Sequence, residues 1–173
     1  MAILFNRSWA LWLLGYPEAA LADADHALKD AREIGHAATL IYALCFTSNV
    51  HAQCGGYATA NTQCDEAVAL ADQEGVMLLK AAGMLTLGSV LTMTDKATDA
   101  VHTITSGMTL WRTTGATLTM PVFLSYLATA YAKLGKFDDA WRCLREAMTM
   151  TETTKEGYWK SIRRHDRCLG NPR

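Results

Sequence analysis

The side chains best suited to chemistry in this 173-residue sequence are five histidines and five cysteines. The histidines stand at 26, 36, 51, 102 and 165, and the cysteines at 45, 54, 64, 143 and 168. His51 and Cys54 fall one helical turn apart, the spacing at which two ligands could share a metal ion. A closed structural metal site needs four ligands, so the preferred reading is a hydrogen-bonded core histidine beside a buried thiol. The cysteine count is odd and no C-x-x-C occurs, which reads as reduced intracellular thiols packed as small hydrophobes. A phosphate-cradling G-x-x-x-x-G-K-[ST] loop is missing, and Gly135-Lys136 is the only Gly-Lys pair. G-x-S-x-G and H-E-x-x-H are missing too. The expectation is a chain that is not an enzyme, with no catalytic residue, no metal site and no cofactor.

Charge and hydropathy narrow the partners. A net charge of −1 and a pI near 6.5 remove the electrostatic case for nucleic acid, which needs a basic face. No run approaches the roughly 18 apolar residues of a membrane span. The opening Met1-Ala2-Ile3-Leu4-Phe5-Asn6-Arg7 lacks the basic region and cleavage site of a signal peptide, so a cytoplasmic location is expected. The eight methionines, four of them at 77, 84, 93 and 108, read as core filler in preference to an adaptable binding surface.

The elements that must position any site are set by an internal repeat. Gly15, Gly55 and Gly135 share a 40-residue spacing, with Asp95 in the remaining slot. Gly35, Gly75 and Gly115 form a second series, offset by 20. Ala20, Ala60, Ala100 and Ala140 form a third, and Ala27, Ala67, Gly107 and Ala147 a fourth. A fifth holds only small residues: Ser8, Ser48, Gly88 and Ala128. The first series predicts αL turns that end a helix, a conformation Gly adopts without penalty and Asp tolerates. The small-residue series predict close helix contacts. Between the breaks lie helix-length segments, giving a first helix to about Leu14 and then helices near 17–34, 37–54, 57–74, 76–93, 96–114, 118–134 and 137–153. The second helix of each pair carries the charges, whereas the complete first helices hold only His51, Lys80 and Lys133 as basic groups. Alternating buried and amphipathic helices predict an all-α, two-layer solenoid of about four helix hairpins.

The fourth unit runs Leu127-Ala128-x-Ala130-Tyr131-x-x-Leu134-Gly135-x-Phe137-x-x-Ala140-x-x-x-Leu144-x-x-Ala147, and it resembles a tetratricopeptide repeat. The other units match less well, and the 40-residue period exceeds the usual 34 of that family. A narrower resemblance lies in Leu14-Gly15-Tyr16-Pro17-x-x-Ala20-Leu21, Ala31-Arg32-Glu33-x-Gly35-His36 and Leu110-Trp111-Arg112-Thr113-Thr114-Gly115-Ala116. Pro121-x-Phe123-Leu124 and Leu127-Ala128-x-Ala130-Tyr131 belong to it as well. These are similar to the C-terminal repeat region of bacterial signalling proteins that join a class III adenylate or guanylate cyclase domain to a predicted ATPase domain. That resemblance implies a fragment of a longer chain, and Met1 opens partway through a helix of the repeat pattern. It also implies a non-catalytic, regulatory protein–protein interaction module whose partner is another protein, a peptide or the linked domains. An alternative is a sensor that binds a small-molecule effector in its groove, and a third is a structural spacer.

The resemblance implies that the inner helices line a concave face. Projecting the repeat places Phe5, Trp9 and Trp12 there from the first unit, then Tyr42, Asn49 and Gln53, then Ser89 and Thr92, and finally Ser125, Thr129 and Lys133. The aromatic end is either a ligand platform or ordinary core that earlier repeats would cover. The groove lacks a Lys/Arg cluster, which argues against an acidic peptide tail. Phe5, Trp9, Leu11, Trp12, Leu13 and Leu14 with Arg7 as the one charge also predict an exposed patch on the first helix, and through it a homodimer. The repeat domain is expected over 1–157. A basic, partly disordered tail is expected over 158–173.

Overall fold

The computed structural model describes residues 2–116 and 119–154, and every described element is helical. The helices are α1 (Ala2–Leu13), α2 (Pro17–Ile34), α3 (Ala37–Gln53), α4 (Tyr57–Gln73), α5 (Met77–Met93), α6 (Ala97–Thr113), α7 (Met120–Lys133) and α8 (Phe137–Thr154). The ends match the sequence expectation closely, the largest shift being the later start of α7. The expected domain end at 157 and the basic tail lie outside the described residues.

The turns follow from backbone sterics. Gly15, Gly35, Gly55, Gly75, Gly115 and Gly135 all take positive φ, between 68° and 86°. A Cβ is strained there, so glycine ends these helices at little cost. Pro17 and Pro121 sit in the first turns of α2 and α7, where a missing N–H is harmless. The Asp95 slot departs from expectation. Thr119 is the one non-glycine with positive φ among the described residues, so Asp95 does not take the αL conformation. Instead α5 runs out into Thr94, whose backbone is extended (φ −104°, ψ 178°). The last carbonyls of α5 therefore lack the αL closure used elsewhere.

The small-residue columns are buried where helices meet. Ser8, Ser48 and Ala128 are buried, and a Cβ added at Gly88 would lie 2.4 Å from Ile104 Cγ1 and 3.1 Å from Ile104 N. Ala20, Ala60, Ala100, Ala140, Ala27, Ala67 and Ala147 are buried as well. Inside the stack, Thr47 donates to Gln63 Oε1 at 3.0 Å, which satisfies two buried polar side chains. Asp23 is buried on α2 and accepts two bonds from Arg7, at 2.5 and 2.6 Å.

Along the outer helices, Arg32 forks onto Glu66 at 2.7 Å twice, joining α2 to α4. Eighty residues on, Arg112 donates to Glu146 at 2.9 Å, joining α6 to α8. The corresponding positions between α4 and α6 hold Asp72 and Ser106, which cannot form that clamp. Asp72 pairs instead with Lys80 at the start of α5.

Candidate interaction groove

The first helices of the pairs, α1, α3, α5 and α7, touch one another along the stack, with α3 against α5 and α5 against α7. They therefore form the inner, concave layer. Tyr42 on α3 exposes its ring there. Phe46 stacks on it at 6.1 Å and 27°, and Phe5 meets it edge-on at 5.6 Å and 63°. Two aromatic neighbours fix that ring in one orientation, so little side-chain entropy remains for a ligand to quench.

Phe5 and Trp12 do not line an open surface. Phe5 is buried among Ala27, Ala31 and Ala43, and Trp12 among Ala20, Ala24 and Val50. Helix α1 folds down onto α2 and α3, so these rings reach the small-residue faces of both helices, and the expected patch of exposed tryptophan is not formed. Trp9 is half-buried, with its ring 5.1 Å from Trp12 and 6.4 Å from Phe46. Its Nε1 is buried without a hydrogen-bond partner among the described residues.

Ser89 and Thr92 are buried too, and they are not groove residues. Their hydroxyls turn back onto their own helix, Ser89 Oγ to Leu85 O at 2.9 Å and Thr92 Oγ1 to Gly88 O at 2.8 Å. The cause is the slimness of α5, which carries Ala81, Ala82, Gly83 and Gly88. Its neighbours meet across it, because Gln53 Nε2 on α3 donates to the Tyr126 hydroxyl on α7 at 3.3 Å. Lys133 is also engaged. Its Nζ donates to Thr92 O at 2.8 Å and Thr94 O at 3.2 Å, supplying the closure that α5 lacks. Asn49 is half-buried and donates to Cys45 O at 3.0 Å. Ser125 and Thr129 bond to Val122 O and Ser125 O on their own helix, and Thr129 is exposed. The concave face is thus open around Tyr42 and Asn49 and again around Ser125 and Thr129, and it is bridged between them. Tyr126 was not foreseen, since its reach across a neighbouring helix leaves no periodic signal.

A separate cleft of about 460 Å³ lies between α5 and α6, bordered by Lys80, Met84, Ser106 and Thr109. Ser106 occupies the column that holds Glu66 and Glu146 in the clamped repeats. Burial pushes the Cys45 and Cys64 thiols up to about 12 and raises Cys54 and Cys143, which disfavours the thiolate at neutral pH. His51 Nε2 lies 3.0 Å from Asp25 Oδ1, which ties α3 back to α2. Among the described residues no three metal-ligating side chains come together, and no helix is long and apolar enough to cross a membrane.

Paired antiparallel helices, αL glycine turns and an inner layer stacked in register define an α-solenoid of the tetratricopeptide kind. A family model described as a tetratricopeptide repeat matches residues 123–154, within α7 and α8. Among solved structures, the apo form of RapI is similar with a TM-score of 0.72 over 96% of this chain and 67% of that one. Sequence identity with it is 14%, so the likeness is one of fold. No curated protein matches the sequence.

Proposed function

We propose that the chain is a non-catalytic interaction module that holds a segment of a partner protein on the open part of its concave face. The observation that supports this reading is Tyr42, an exposed ring packed against Phe5 and Phe46, with the amide of Asn49 two turns further along α3. Rigid aromatic side chains next to adaptable amides are typical anchors of protein interfaces. With Lys133 engaged on α5, a peptide carboxylate finds no free ammonium from that residue in the groove. The partner segment is accordingly apolar or aromatic. In pull-downs from native cell extract, Tyr42→Ala should lower recovery of the partner at least tenfold without changing the melting temperature. Undiminished recovery would move the interaction surface elsewhere.

A second reading is a small-molecule effector site at the same place, since an exposed, fixed ring face also suits flat ligands. A thermal-shift screen of metabolites tests it, with a shift that disappears in Tyr42→Ala as the supporting result. The resemblance in residues 14–36 and 110–131 favours a cytoplasmic setting beside a nucleotide cyclase and an ATPase domain, which the module would regulate. The purified chain itself should turn over neither ATP nor GTP. Cyclic-nucleotide formation that persists through purification to homogeneity would refute the non-catalytic reading.

A further inference from the structure

The α5–α6 pair breaks a packing rule that the pairs on either side obey. In α3–α4, Leu40 and Leu70 pack against Ile41 and Leu44, and the Arg32–Glu66 pair ties the rim. In α7–α8, Met120 and Leu124 are buried, Met150 packs against the same cluster, and Arg112–Glu146 ties the rim. The same columns hold different residues in between. Lys80 stands in the column of Leu40 and Met120, Ser106 in that of Glu66 and Glu146, and Asp72 in that of Arg32 and Arg112. Apolar filling and rim tie are both lost, and the cleft of about 460 Å³ opens there, with Lys80 and Met84 of α5 facing the hydroxyl-bearing side of α6. It lies inside the stack, with α3 and α4 before it and α7 and α8 after it, so its opening does not depend on what covers either end.

The lining sets what can bind. Among the described residues Lys80 is its one ionisable side chain, and the ammonium is already paired with the exposed carboxylate of Asp72. An entering anion would meet Asp72 and an entering cation would meet Lys80, so the walls favour a neutral ligand. Hydrogen-bond direction narrows the class further. Thr109 Oγ1 donates to Thr105 O at 2.9 Å, and Thr113 Oγ1 donates to Leu110 O at 2.7 Å. Each of these hydroxyls has committed its proton and offers only lone pairs, so each needs a donor from the ligand. The Lys80 ammonium keeps protons beyond the one given to Asp72 and needs an acceptor, whereas the hydroxyls of Thr105 and Ser106 can serve either way. Met84 and Leu110 add aliphatic surface to the same walls.

We propose that the α5–α6 cleft is a binding site for a neutral polyhydroxylated ring, of the class of a monosaccharide or a cyclitol. Each hydroxyl of such a molecule donates and accepts at once, so it can give protons to Thr109 and Thr113 while taking one from Lys80. The C–H face of the ring rests on Met84 and Leu110, which offsets part of the cost of desolvating its hydroxyls. A phosphate or a carboxylate cannot donate to the two threonines, and an apolar ring would leave the ammonium unanswered. The site is separate from the concave surface around Tyr42. Its occupant bridges α5 and α6 beside the stretch of rim that has no Arg–Glu tie.

Saturation-transfer NMR of the whole chain with D-glucose, D-galactose and myo-inositol, each as the single probe, tests the site. At least one should reach half-saturation at or below about 1 mM, and its titration should shift the ε-methyl resonance of Met84. Thr109→Val keeps the shape of the side chain and removes the acceptor. It should weaken binding about tenfold, the loss expected for one hydrogen bond, with the melting temperature unchanged. Asp72→Arg with Ser106→Glu installs the tie of the flanking repeats and should abolish binding, while circular dichroism shows the helices retained. If no probe reaches half-saturation by about 1 mM, the inference is overturned. Binding that survives both variants and disappears in Tyr42→Ala also overturns it, by placing the ring on the concave face. Inorganic phosphate binding at the Met84 methyl as tightly as the best of the three probes would overturn the neutral class.

Discussion

Lys133 Nζ on α7 lies 2.8 Å from the carbonyl oxygen of Thr92 on α5, so a side chain two helices away closes a helix that its own turn leaves open. The ammonium faces the negative end of the α5 dipole and meets carbonyls that would otherwise lack partners. Lys133→Met should destabilise the fold by about 1–2 kcal/mol, the range for a partly exposed charge-assisted bond. In an Asp95→Gly background an αL closure becomes available, and the same substitution should cost less than half as much. Urea denaturation of the four proteins checks this as a double-mutant cycle. Equal costs in both backgrounds would detach Lys133 from the helix terminus.

Close helix contacts should be the positions least tolerant of added volume. Gly88→Ala brings a methyl to 2.4 Å from Ile104 Cγ1 and should destabilise through overpacking, and Ile104→Val, which keeps Cγ1, should not relieve it. Ala128→Leu and Ala140→Leu, both at buried sites, should each destabilise by about 1–3 kcal/mol through overpacking. Unchanged denaturation midpoints for both would mean that these columns do not mark the helix contacts.

The pair formed by the exposed Arg7 and the buried Asp23 sets a pH dependence. The Arg7 hydrogen bonds hold the Asp23 carboxyl below the ordinary aspartate range. A depressed folded pKa stabilises at pH above the unfolded value, about 3.9, and that contribution fades as pH falls through the folded pKa. The stability gap between the unmodified chain and Arg7→Met should therefore be constant between about pH 5 and 8 and shrink below about pH 4. Paired urea melts at pH 7 and pH 3 measure it, and a gap unchanged at pH 3 contradicts the assignment.

Cys45 and Cys64, pushed up to about 12 by burial, should resist alkylation in the folded protein at pH 8. The partly exposed Cys54 should be modified first. Mass spectrometry after brief iodoacetamide treatment gives the order, and both buried thiols should react promptly in urea. Modification of Cys45 or Cys64 ahead of Cys54 would show that the core opens there.

Most of the fold was legible because turn chemistry recurs. Glycine every 40 residues leaves few options for where helices stop, and the small-residue columns give their facing sides. Asp95 was misread because propensity alone cannot show that a distant lysine will take the carbonyls that an αL residue would have closed. The groove was less legible. Projecting one repeat onto the next assumes helices of equal girth, and α5 is thinned by Gly83 and Gly88, so Ser89 and Thr92 sink between their neighbours while Gln53 and Tyr126 meet across them. Phe5 and Trp12 were placed in the right layer. Their depth depended on how far α1 settles onto α2 and α3, which no spacing encodes.

The Arg–Glu clamps recur every second repeat, at Arg32–Glu66 and Arg112–Glu146, and the outer edge between α4 and α6 has no such cross-link among the described residues. Considered mechanically, the molecule is a spring with one soft coil. Exposed ion pairs add little to folding stability, yet a tie on the outer rim of a curved stack resists the opening of that rim under load. Tension applied to the two ends would be taken up at the α4–α6 gap before the flanking turns yield. The two halves would swing as stiff blocks about α5, and the pitch of the whole coil would change through one joint.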